Sequence, residues 1–343
     1  MQTQYYKKIK NKRVAIFGIT PPPLGGVSVH IQRVAEKFKQ NNNKVYHFKT
    51  EFRGRRYLLF LYLIYAFIFL LFKKIDILYY HSSYLPNSIQ EILFLSYIKK
   101  LLKFNFILVE HNYRHMYLKK NLSKIKLNKF IKNIDHIIFM GNLPQKSYFD
   151  NKINIEKKHT IDDAFLPPDL SEENKILKKY PKELYEFIHK SKPSLLVNAS
   201  KSPLTEGKDL YGFDKSIKVV SKLKKHHPNI GLILIITTME NCQYLNHLLK
   251  TIKDLNIENN VLFLTGQKEL WPILKKIDIF LRPTLWDGTS ISLREAIYFN
   301  KTVVASNVCK RPPKTTVFDI KNENDFFEKT KNEINKKFVS LLK

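Results

Sequence analysis

Short apolar runs alternate with helical segments along most of the chain, and this alternation limits the fold more than any other feature. Strand-like runs at residues 13–17 and 44–48 flank residues 27–40, whose apolar side chains recur at helical spacing. A strand, a helix and a second strand of these lengths form a parallel crossover unit. The pattern predicts a doubly wound α/β fold and argues against a β-sandwich or a helical bundle.

The alternation occurs twice, with a break between the two arrays. Residues 169–192 lose the strand rhythm and are mostly charged and helical, and the second array begins with a strand at residues 194–199. A chain of 343 residues also exceeds what one hydrophobic core usually serves. We predict two Rossmann-like domains, 1–175 and 176–323, that face a cleft, followed by a C-terminal helix over 324–343 that could pack back on the first domain.

The charge balance is strongly basic. Lys and Arg number 59 against 30 Asp and Glu, a formal net charge of +29, while 44% of the residues are apolar. The apolar share excludes a disordered basic tail or a low-complexity RNA binder. Such charge indicates nucleic acid or an anionic membrane surface as partner, although AT-rich coding DNA gives the same excess of Lys, Asn and Ile. Two cysteines, Cys242 and Cys309, favour a reducing compartment.

Ligands of open α/β sheets bind beyond the carboxyl ends of the strands, and four such ends carry unusual residues. At the first, Gly25 and Gly26 precede a long helix, where backbone N–H groups attract anions. At the second, His111 directly follows an apolar strand and is a donor to a sugar hydroxyl or to developing charge. Taken alone, the glycines also fit a simple turn, and the histidine also fits a helix cap.

The other two strand ends lie in the second array. Lys201 and Lys208 occupy a Gly-containing loop, where they are either diphosphate ligands or solvated side chains. In the segment 278–296, a strand ends, Asp287 and Gly288 follow, and a helix opens that carries Glu295. Two carboxylates facing one cleft suit ligand binding, but a capping box from Ser292 to Glu295 explains the second equally well.

The order and spacing of these pieces resemble one family, the retaining GT-B glycosyltransferases of family 4, also called group 1 glycosyl transferases. Its C-terminal signature places a carboxylate, seven residues, then Glu, followed by a segment ending in Val-Val-Ala-Ser. Residues 278–306 follow that order, and the Gly25-Gly26 loop, His111, the 207–209 loop and residues 261–266 match elsewhere. The resemblance implies a GT-B fold whose first domain takes the acceptor and whose second takes the nucleotide sugar.

The resemblance also implies roles for individual residues. His111 and Asp287 are the expected catalytic residues, the first beside the transferred sugar and the second on donor sugar hydroxyls. Glu295 is expected to bind the ribose, and Gln267 to lie near the base. The expected contacts to the sugar and the phosphates are made by Gly25, Gly26, Lys201, Lys208, Gly288, Thr289, Ser290 and Ile291.

Two departures from the family pattern concern the diphosphate and the sugar. Asp287 stands where the family usually has Glu, and Asn198-Ala199-Ser200 replaces the Gly-Arg of the phosphate clamp, so that Lys201 is the nearest cation. Lysine acts as a point charge, whereas arginine grips phosphate with a fork. No Asp-x-Asp triplet is present to hold a metal. We predict a metal-independent, retaining transferase without a cofactor, using a UDP- or GDP-linked sugar and a saccharide or lipid-linked saccharide acceptor.

Residues 57–72 carry no charge and are bracketed by basic residues. A membrane-spanning helix needs about 20 apolar residues, so this run is predicted to be a crossover helix that is either buried or in contact with lipid. The flanking cations favour an anionic bilayer. We therefore expect a cytoplasmic protein, peripheral on the inner face of the plasma membrane and active in bacterial surface polysaccharide synthesis. The expected membrane contacts are Arg53, Arg55, Arg56, Lys73 and Lys74.

Three rival functions remain open at this level. A basic nucleic-acid-binding protein fits the charge, but no RNP, GXXG or helix-turn-helix signature is present. A catalytically weak GT-B-like scaffold fits the altered phosphate clamp. A dinucleotide oxidoreductase fits least, because no G-x-G-x-x-G follows any predicted strand.

Overall fold

The structure is a computed structural model of the chain. It describes residues 8–49, 56–82, 85–111, 128, 131–155, 159–163, 165–199, 204–205, 207–238, 242–288 and 290–339. Four of the predicted site residues lie outside this range: Arg53, Arg55, Lys201 and Thr289. Arg56 begins a helix, but its side chain is not among those described.

Two compact units make up the chain, Met1–Leu166 and Pro167–Lys343. Each is built on a parallel sheet of the Rossmann type, and the predicted fold class is confirmed. The boundary falls earlier than the predicted 175/176. The reason is that Ile176, Tyr180 and Leu184 bury their side chains in the core of the second unit, so the charged connecting segment belongs to that unit.

The first unit has a sheet in which, among the described residues, six parallel strands run in the order β2-β1-β3-β4-β5-β6. The central strands form because their apolar runs are buried on both faces, as a parallel sheet requires. The strands are β1 Arg13–Phe17, β2 Lys44–Phe48, β3 Ile77–Ser82, β4 Asn105–Glu110, β5 His136–Met140 and β6 His159–Asp162. The helices are α1 Gly26–Gln40, α2 Arg56–Lys73, α3 Leu85–Leu102 and α4 Asn142–Asp150.

The second unit has a sheet in the order β11-β10-β7-β12-β13-β14, again parallel at every described pairing, and a two-stranded hairpin β8-β9. The sheet strands are β7 Ser194–Ala199, β10 Gly231–Ile236, β11 Val261–Thr265, β12 Ile279–Arg282, β13 Thr302–Ser306 and β14 Thr315–Phe318. The hairpin strands are β8 Leu204–Thr205 and β9 Lys208–Asp209. The helices are α5 Glu173–Leu177, α6 Lys182–Lys190, α7 Phe213–Leu223, α8 Cys242–Asp254, α9 Trp271–Leu274, α10 Ile291–Tyr298 and α11 Glu323–Val339.

The strand orders place a crevice in each sheet. Chain order reverses direction between β1 and β3 in the first sheet, and between β7 and β12 in the second. At such a switch point the loops diverge to opposite faces, which leaves a crevice beyond the carboxyl ends of the strands. His81 on β3 and Arg282 at the end of β12 lie at these two positions.

Helix α11 packs within the second unit, on α7 and on the last two strands of the sheet. Phe326 and Ile334 are buried in that core, and Phe326 stacks on Phe318 with ring centroids 4.3 Å apart. Lys337 forms an ion pair with Asp278 at 2.9 Å. The described part of the tail thus packs on its own unit, and the expected packing of residues 324–343 on the first domain remains a prediction.

Helix α2 contains the uncharged run and is neither fully buried nor fully exposed. Ala66 and Leu70 pack into the core of the first unit. The opposite face is open: Phe60 is 64% exposed, Leu61 59% and Phe72 77%. No helix in the described part of the chain combines the length and the hydropathy needed to span a bilayer.

Candidate functional site

Arg282 crosses the crevice of the second sheet. It is the last residue of β12, and its Nη1 donates to the backbone oxygen of Asn198 near the end of β7, at 3.2 Å. The guanidinium also lies over the ring of Tyr211, with its central carbon 5.2 Å from the ring centroid. A cation therefore stands at the switch point, close to the strand end where the family's clamp arginine is replaced.

Asp287 fixes the orientation of this guanidinium. The Nε and Nη2 atoms of Arg282 donate to its two carboxylate oxygens, each at 3.1 Å, which is the two-pronged geometry of a strong arginine–carboxylate pair. Arg311 donates to the same carboxylate from Nη1 at 2.7 Å, and the backbone N–H of Gly288 donates at 3.1 Å. In this structure the carboxylate thus contacts two arginines and a backbone N–H, and its predicted contact with sugar hydroxyls remains a prediction.

Arg311 is held as firmly as Asp287. Its Nε donates to the backbone oxygen of Ser306, and its Nη2 donates to the hydroxyls of Thr284 and Ser306, at 3.3 and 3.1 Å. Only 2% of its side chain is exposed. We call Arg282, Asp287 and Arg311 the arginine clamp. One carboxylate and two guanidiniums leave it with a net charge of +1 beside the start of α10.

The opposite charges of Asp287 and Arg282 stabilise each other's ionised form despite their burial. Burial alone would raise the pKa of Asp287, but Arg282 and then Arg311 outweigh it and hold that pKa below its ordinary value. Burial would lower the pKa of Arg282, yet Asp287 raises it above its ordinary value. Arg282 and Asp287 therefore remain charged at neutral pH.

The start of α10 is capped by Ser290. Its hydroxyl accepts from the backbone N–H of Leu293 at 3.3 Å. The capping box weighed for Ser292 and Glu295 does not form, because the helix begins two residues earlier than that box requires. Ile291 and Glu295 are both buried. The N–H of Gly288 donates to Asp287 in this structure, and its expected contact with the sugar and the phosphates remains a prediction.

Two more predicted donor residues lie on neighbouring loops. Gln267 follows β11, and its amide donates to the hydroxyl of Thr238 beyond β10, so both lie past the carboxyl ends of adjacent strands. Lys208 is exposed on the short strand β9. Its neighbour Asp209 is buried and accepts from the N–H groups of Tyr211, Gly212 and Asp214 and from the hydroxyl of Tyr244, which fixes the loop before α7.

The glycine turn of the first unit is organised by Ser28. Its hydroxyl donates to the backbone oxygen of Pro23 at 2.7 Å and accepts from the N–H of Gly25 at 2.9 Å. Gly25 is the N-cap of α1, and Gly26 is its first residue. A Cβ built on Gly25 would come no nearer than 4.0 Å to its closest neighbour, the hydroxyl of Ser28, so the turn leaves open space beside it.

His111 lies in the first unit at the crevice between β1 and β3. Its Nε2 is 3.0 Å from Nδ1 of His81 on β3, and its backbone N–H donates to the oxygen of Ser82 at 2.9 Å. His30, on α1, packs edge-on against both rings. Burial lowers the pKa of His81 and of His111 well below the ordinary value, and the neighbouring imidazoles lower both further.

Sequence reasoning missed four of these residues: Arg282, Arg311, His81 and His30. Arg282 could have been found because a charged residue directly follows the apolar run 279–281. His81 could have been found because a histidine directly follows the apolar run 77–80. No pattern in the sequence around Arg311 points to a functional role. Its contact with Asp287 forms only because the loop after β13 folds back toward that residue. His30 was missed because it lies within an amphipathic helix, where a single polar residue is ordinary.

Comparison with known proteins finds a family match within the second unit. Residues 207–343 match the family described as glycosyl transferases group 1. A segment of 111 residues is 32% identical to the uncharacterized glycosyltransferase MJ1059 of Methanocaldococcus jannaschii. The match covers 32% of this chain and about a quarter, 25%, of that relative.

Solved structures match almost the whole chain at low sequence identity. A glycosyltransferase from Rickettsia africae has a TM-score of 0.70 at 14% identity, over 95% of this chain and 89% of its own. Anabaena Alr3699/HepE, solved with UDP, has a TM-score of 0.63 at 12% identity, over 96% and 90%. The catalytic domain of starch synthase IV from Arabidopsis thaliana, solved with ADP and acarbose, has a TM-score of 0.66 at 11% identity, over 95% and 92%.

The family match covers the segment that contains Arg282, Asp287 and Arg311. Structural likeness at this level of identity establishes the fold, and the family match concerns the segment that carries Asp287 and Glu295. The chain thus has the fold of the GT-B glycosyltransferases, and its residues 207–343 match the family of glycosyl transferases group 1.

Proposed function

We propose that this protein is a retaining glycosyltransferase that moves a sugar from a UDP- or GDP-linked donor to a saccharide or lipid-linked saccharide acceptor. The observation that carries the proposal is the arginine clamp, a fixed positive group at the switch point of a domain that matches the group 1 family. The solved relatives that contain UDP or ADP support a nucleoside diphosphate as the ligand.

The clamp suits a departing diphosphate. Transfer with loss of a nucleoside diphosphate builds negative charge on the leaving phosphate and an oxocarbenium-like sugar, and preoriented cations stabilise the former. Arg282 lies next to the strand end where the family's arginine is missing, and its planar fork suits phosphate better than a lysine does. We assign Arg282 to the diphosphate, with Arg311 and Asp287 as the residues that position it.

The remaining donor contacts follow from the loops around the same strand ends. Glu295 is assigned to the ribose and Gln267 to the base, as the resemblance implies. In the first unit, His111 is assigned to the transferred sugar, where its imidazole is neutral because burial lowers its pKa. The proposed reaction needs no metal and no further cofactor, and its proposed place is bacterial surface polysaccharide synthesis.

Donor turnover in the presence of a chelator tests this proposal. A screen of UDP- and GDP-linked sugars should find one that the chain hydrolyses slowly without an acceptor. Arg282→Gln should lower that rate by about 100-fold, as loss of one charge-stabilising donor does elsewhere. Lys276→Gln is the matched control, because Lys276 is an exposed cation of the same unit. Equal loss in both variants, or full activity in Arg282→Gln and Glu295→Gln, would contradict the assignment.

A second observation supports a peripheral membrane location, the apolar outer face of α2. Phe60, Leu61 and Phe72 are each more than half exposed, and Leu101 on α3 is 68% exposed. Lys73 ends the helix with its ammonium 5.8 Å from the ring centroid of Phe69. An apolar face bordered by cations is typical of a helix that lies in the interface of an anionic bilayer. We propose that this face docks on anionic lipid and brings the protein to a lipid-linked acceptor.

Sedimentation with anionic vesicles tests the docking face. Replacing Leu61 and Phe72 with Ser should weaken vesicle binding at least tenfold, since each buried side chain of this size contributes about 1.5–3 kcal/mol. Leu249→Ser is the control, because Leu249 is 46% exposed on α8, a helix of the second unit. Binding that is unchanged by the double variant, or by neutralising Lys73 and Lys74, would refute the docking face.

A further inference from the structure

Three histidines converge at the carboxyl ends of the strands in the first sheet. They come from three elements: His30 from α1, His81 from β3 and His111 from the residue after β4. One ring nitrogen from each lies within 4.8 Å of the other two. His30 and His81 are buried, and His111 is partly exposed. We propose that this histidine triad binds a divalent transition-metal ion, with Zn²⁺ as its occupant.

The distances between the rings fit one shared ion. Two nitrogens bound to zinc at about 2.0–2.1 Å in tetrahedral geometry lie about 3.3 Å apart. Nδ1 of His81 and Nε2 of His111 are 3.0 Å apart. The ring centroids of imidazoles on one zinc lie roughly 3.2 Å from the ion, hence about 5 Å from one another. The observed centroid distances are 5.1 Å for His30–His111, 5.3 Å for His81–His111 and 5.8 Å for His30–His81.

The facing nitrogens of the triad suit metal binding. Metal ions bind the neutral imidazole through a nitrogen lone pair. One proton lies between the facing nitrogens of these two rings, and an ion that replaces it takes both lone pairs. Nε2 of His81 is buried and has no hydrogen-bond partner among the described residues. This nitrogen is the one that faces away from the ion when Nδ1 is the ligand, so the proposal rests on the distances between the three rings.

The imidazole nitrogens of the triad also favour a borderline-soft metal ion such as Zn²⁺. Imidazole ligands favour Zn²⁺ and its neighbours in the first transition row over Mg²⁺ or Ca²⁺, which take oxygen ligands. The partial exposure of His111 opens the cluster to solvent on one side. Three protein ligands leave a fourth tetrahedral position for water.

Metal binding at the triad has a consequence that rests on the proposed function. His111 is assigned there to the transferred sugar, and an ion at the triad takes its Nε2. The loaded protein then has a divalent charge beside the position assigned to the oxocarbenium-like sugar, so Zn²⁺ acts as a reversible inhibitor of the proposed reaction.

Metal titration of the full chain decides the proposal without any substrate. After treatment with a chelator and dialysis, wild-type protein should bind about one Zn²⁺ per chain, and Co²⁺ should give the visible absorption of a tetrahedral site. His81→Gln and His111→Gln should each weaken binding at least tenfold. His189→Gln is the control, because His189 is exposed on α6. His111 is partly exposed, so its variant remains informative if His81→Gln does not fold.

The outcomes separate the metal site from the proposed function. Loss of stoichiometric binding in the triad variants, with binding retained in His189→Gln, supports the site. Wild-type protein that binds no Zn²⁺, or triad variants that bind it as tightly as wild type, would overturn it. Donor hydrolysis by the metal-free chain should stop on loading and return with chelator, and hydrolysis that continues in loaded protein would refute the inhibition. If the metal-free chain turns over no donor, the proposed function fails, and the titration still decides the site.

Discussion

Replacement of Asp287 by Asn tests the arginine clamp, because it removes the one negative charge between two buried guanidiniums. The charge centres lie roughly 4 Å apart, and each pair is worth about 4 kcal/mol at an effective dielectric constant of about 20. Removing one partner from such a buried group leaves the other charges uncompensated, which costs about 3–5 kcal/mol. We therefore expect Asp287→Asn to lower the free energy of unfolding of the second unit by about that amount at pH 7.

The pH dependence gives this prediction a second arm. The arginines hold the pKa of Asp287 below its ordinary value, so its contribution to stability is present above the pKa of the unfolded chain and is lost as pH falls through the folded pKa. The difference between wild type and Asp287→Asn should be constant from pH 7 to pH 5. It should shrink only below about pH 4.

Tryptophan fluorescence during urea unfolding is the assay. The protein has two tryptophans, Trp271 and Trp286, and both belong to the second unit, so the signal reports that unit alone. Glu172→Gln is the control, because the Glu172–Lys175 pair is exposed and its loss should leave the unfolding midpoint in place. A change below about 1 kcal/mol at pH 7, or a difference that grows as pH falls to 5, would refute the reasoning.

Two further predictions concern packing and a buried acid. Gly212 and Gly207 have similar positive φ angles, 71° and 73°, but a Cβ on Gly212 would lie 2.4 Å from the backbone oxygen of Pro283, whereas a Cβ on Gly207 would meet nothing within 4 Å. Gly212→Ala should therefore destabilise the second unit by roughly 1–3 kcal/mol more than Gly207→Ala, measured by the same urea titration, and equal effects would show that the contact is tolerated. In the first unit, burial raises the pKa of Glu91 to about 7 although Tyr80 donates to it, so its contribution to stability is full below pH 4.5 and is lost as pH rises to about 7. Glu91→Gln should become more stable than wild type by up to about 3 kcal/mol between pH 5 and pH 8, measured by circular dichroism during urea unfolding, and a difference that does not change with pH would contradict this.

The sequence was sufficient for the two sheets except for one edge strand of each. Uninterrupted apolar runs are the pattern of a strand buried on both faces, and strands β1 and β7 appear at the predicted residues 13–17 and 194–199. Strands β6 and β14 were not predicted. They read His-Thr-Ile-Asp and Thr-Thr-Val-Phe, lie at sheet edges and are largely accessible to solvent, so neither apolar length nor alternation marks them.

The predicted site residues were found by their place after strands, and the missed ones depend on tertiary contacts. Asp287 was visible because it follows a strand and precedes a helix. Its partner Arg311 lies 24 residues further along, and nothing near it in the sequence indicates a carboxylate. The packing of His30 against His111 likewise depends on how α1 lies on the sheet, which periodicity alone does not specify.

The central claim is that the clamp of the second unit binds a nucleoside diphosphate. Isothermal titration of the full chain with UDP and GDP tests it most directly, with Arg282→Gln and the control Lys276→Gln titrated alongside. We predict that wild type and the control bind one of the two nucleotides equally well, and that Arg282→Gln binds it at least tenfold more weakly. Absence of binding by either nucleotide in wild-type protein, or equal affinity in Arg282→Gln, would contradict the claim.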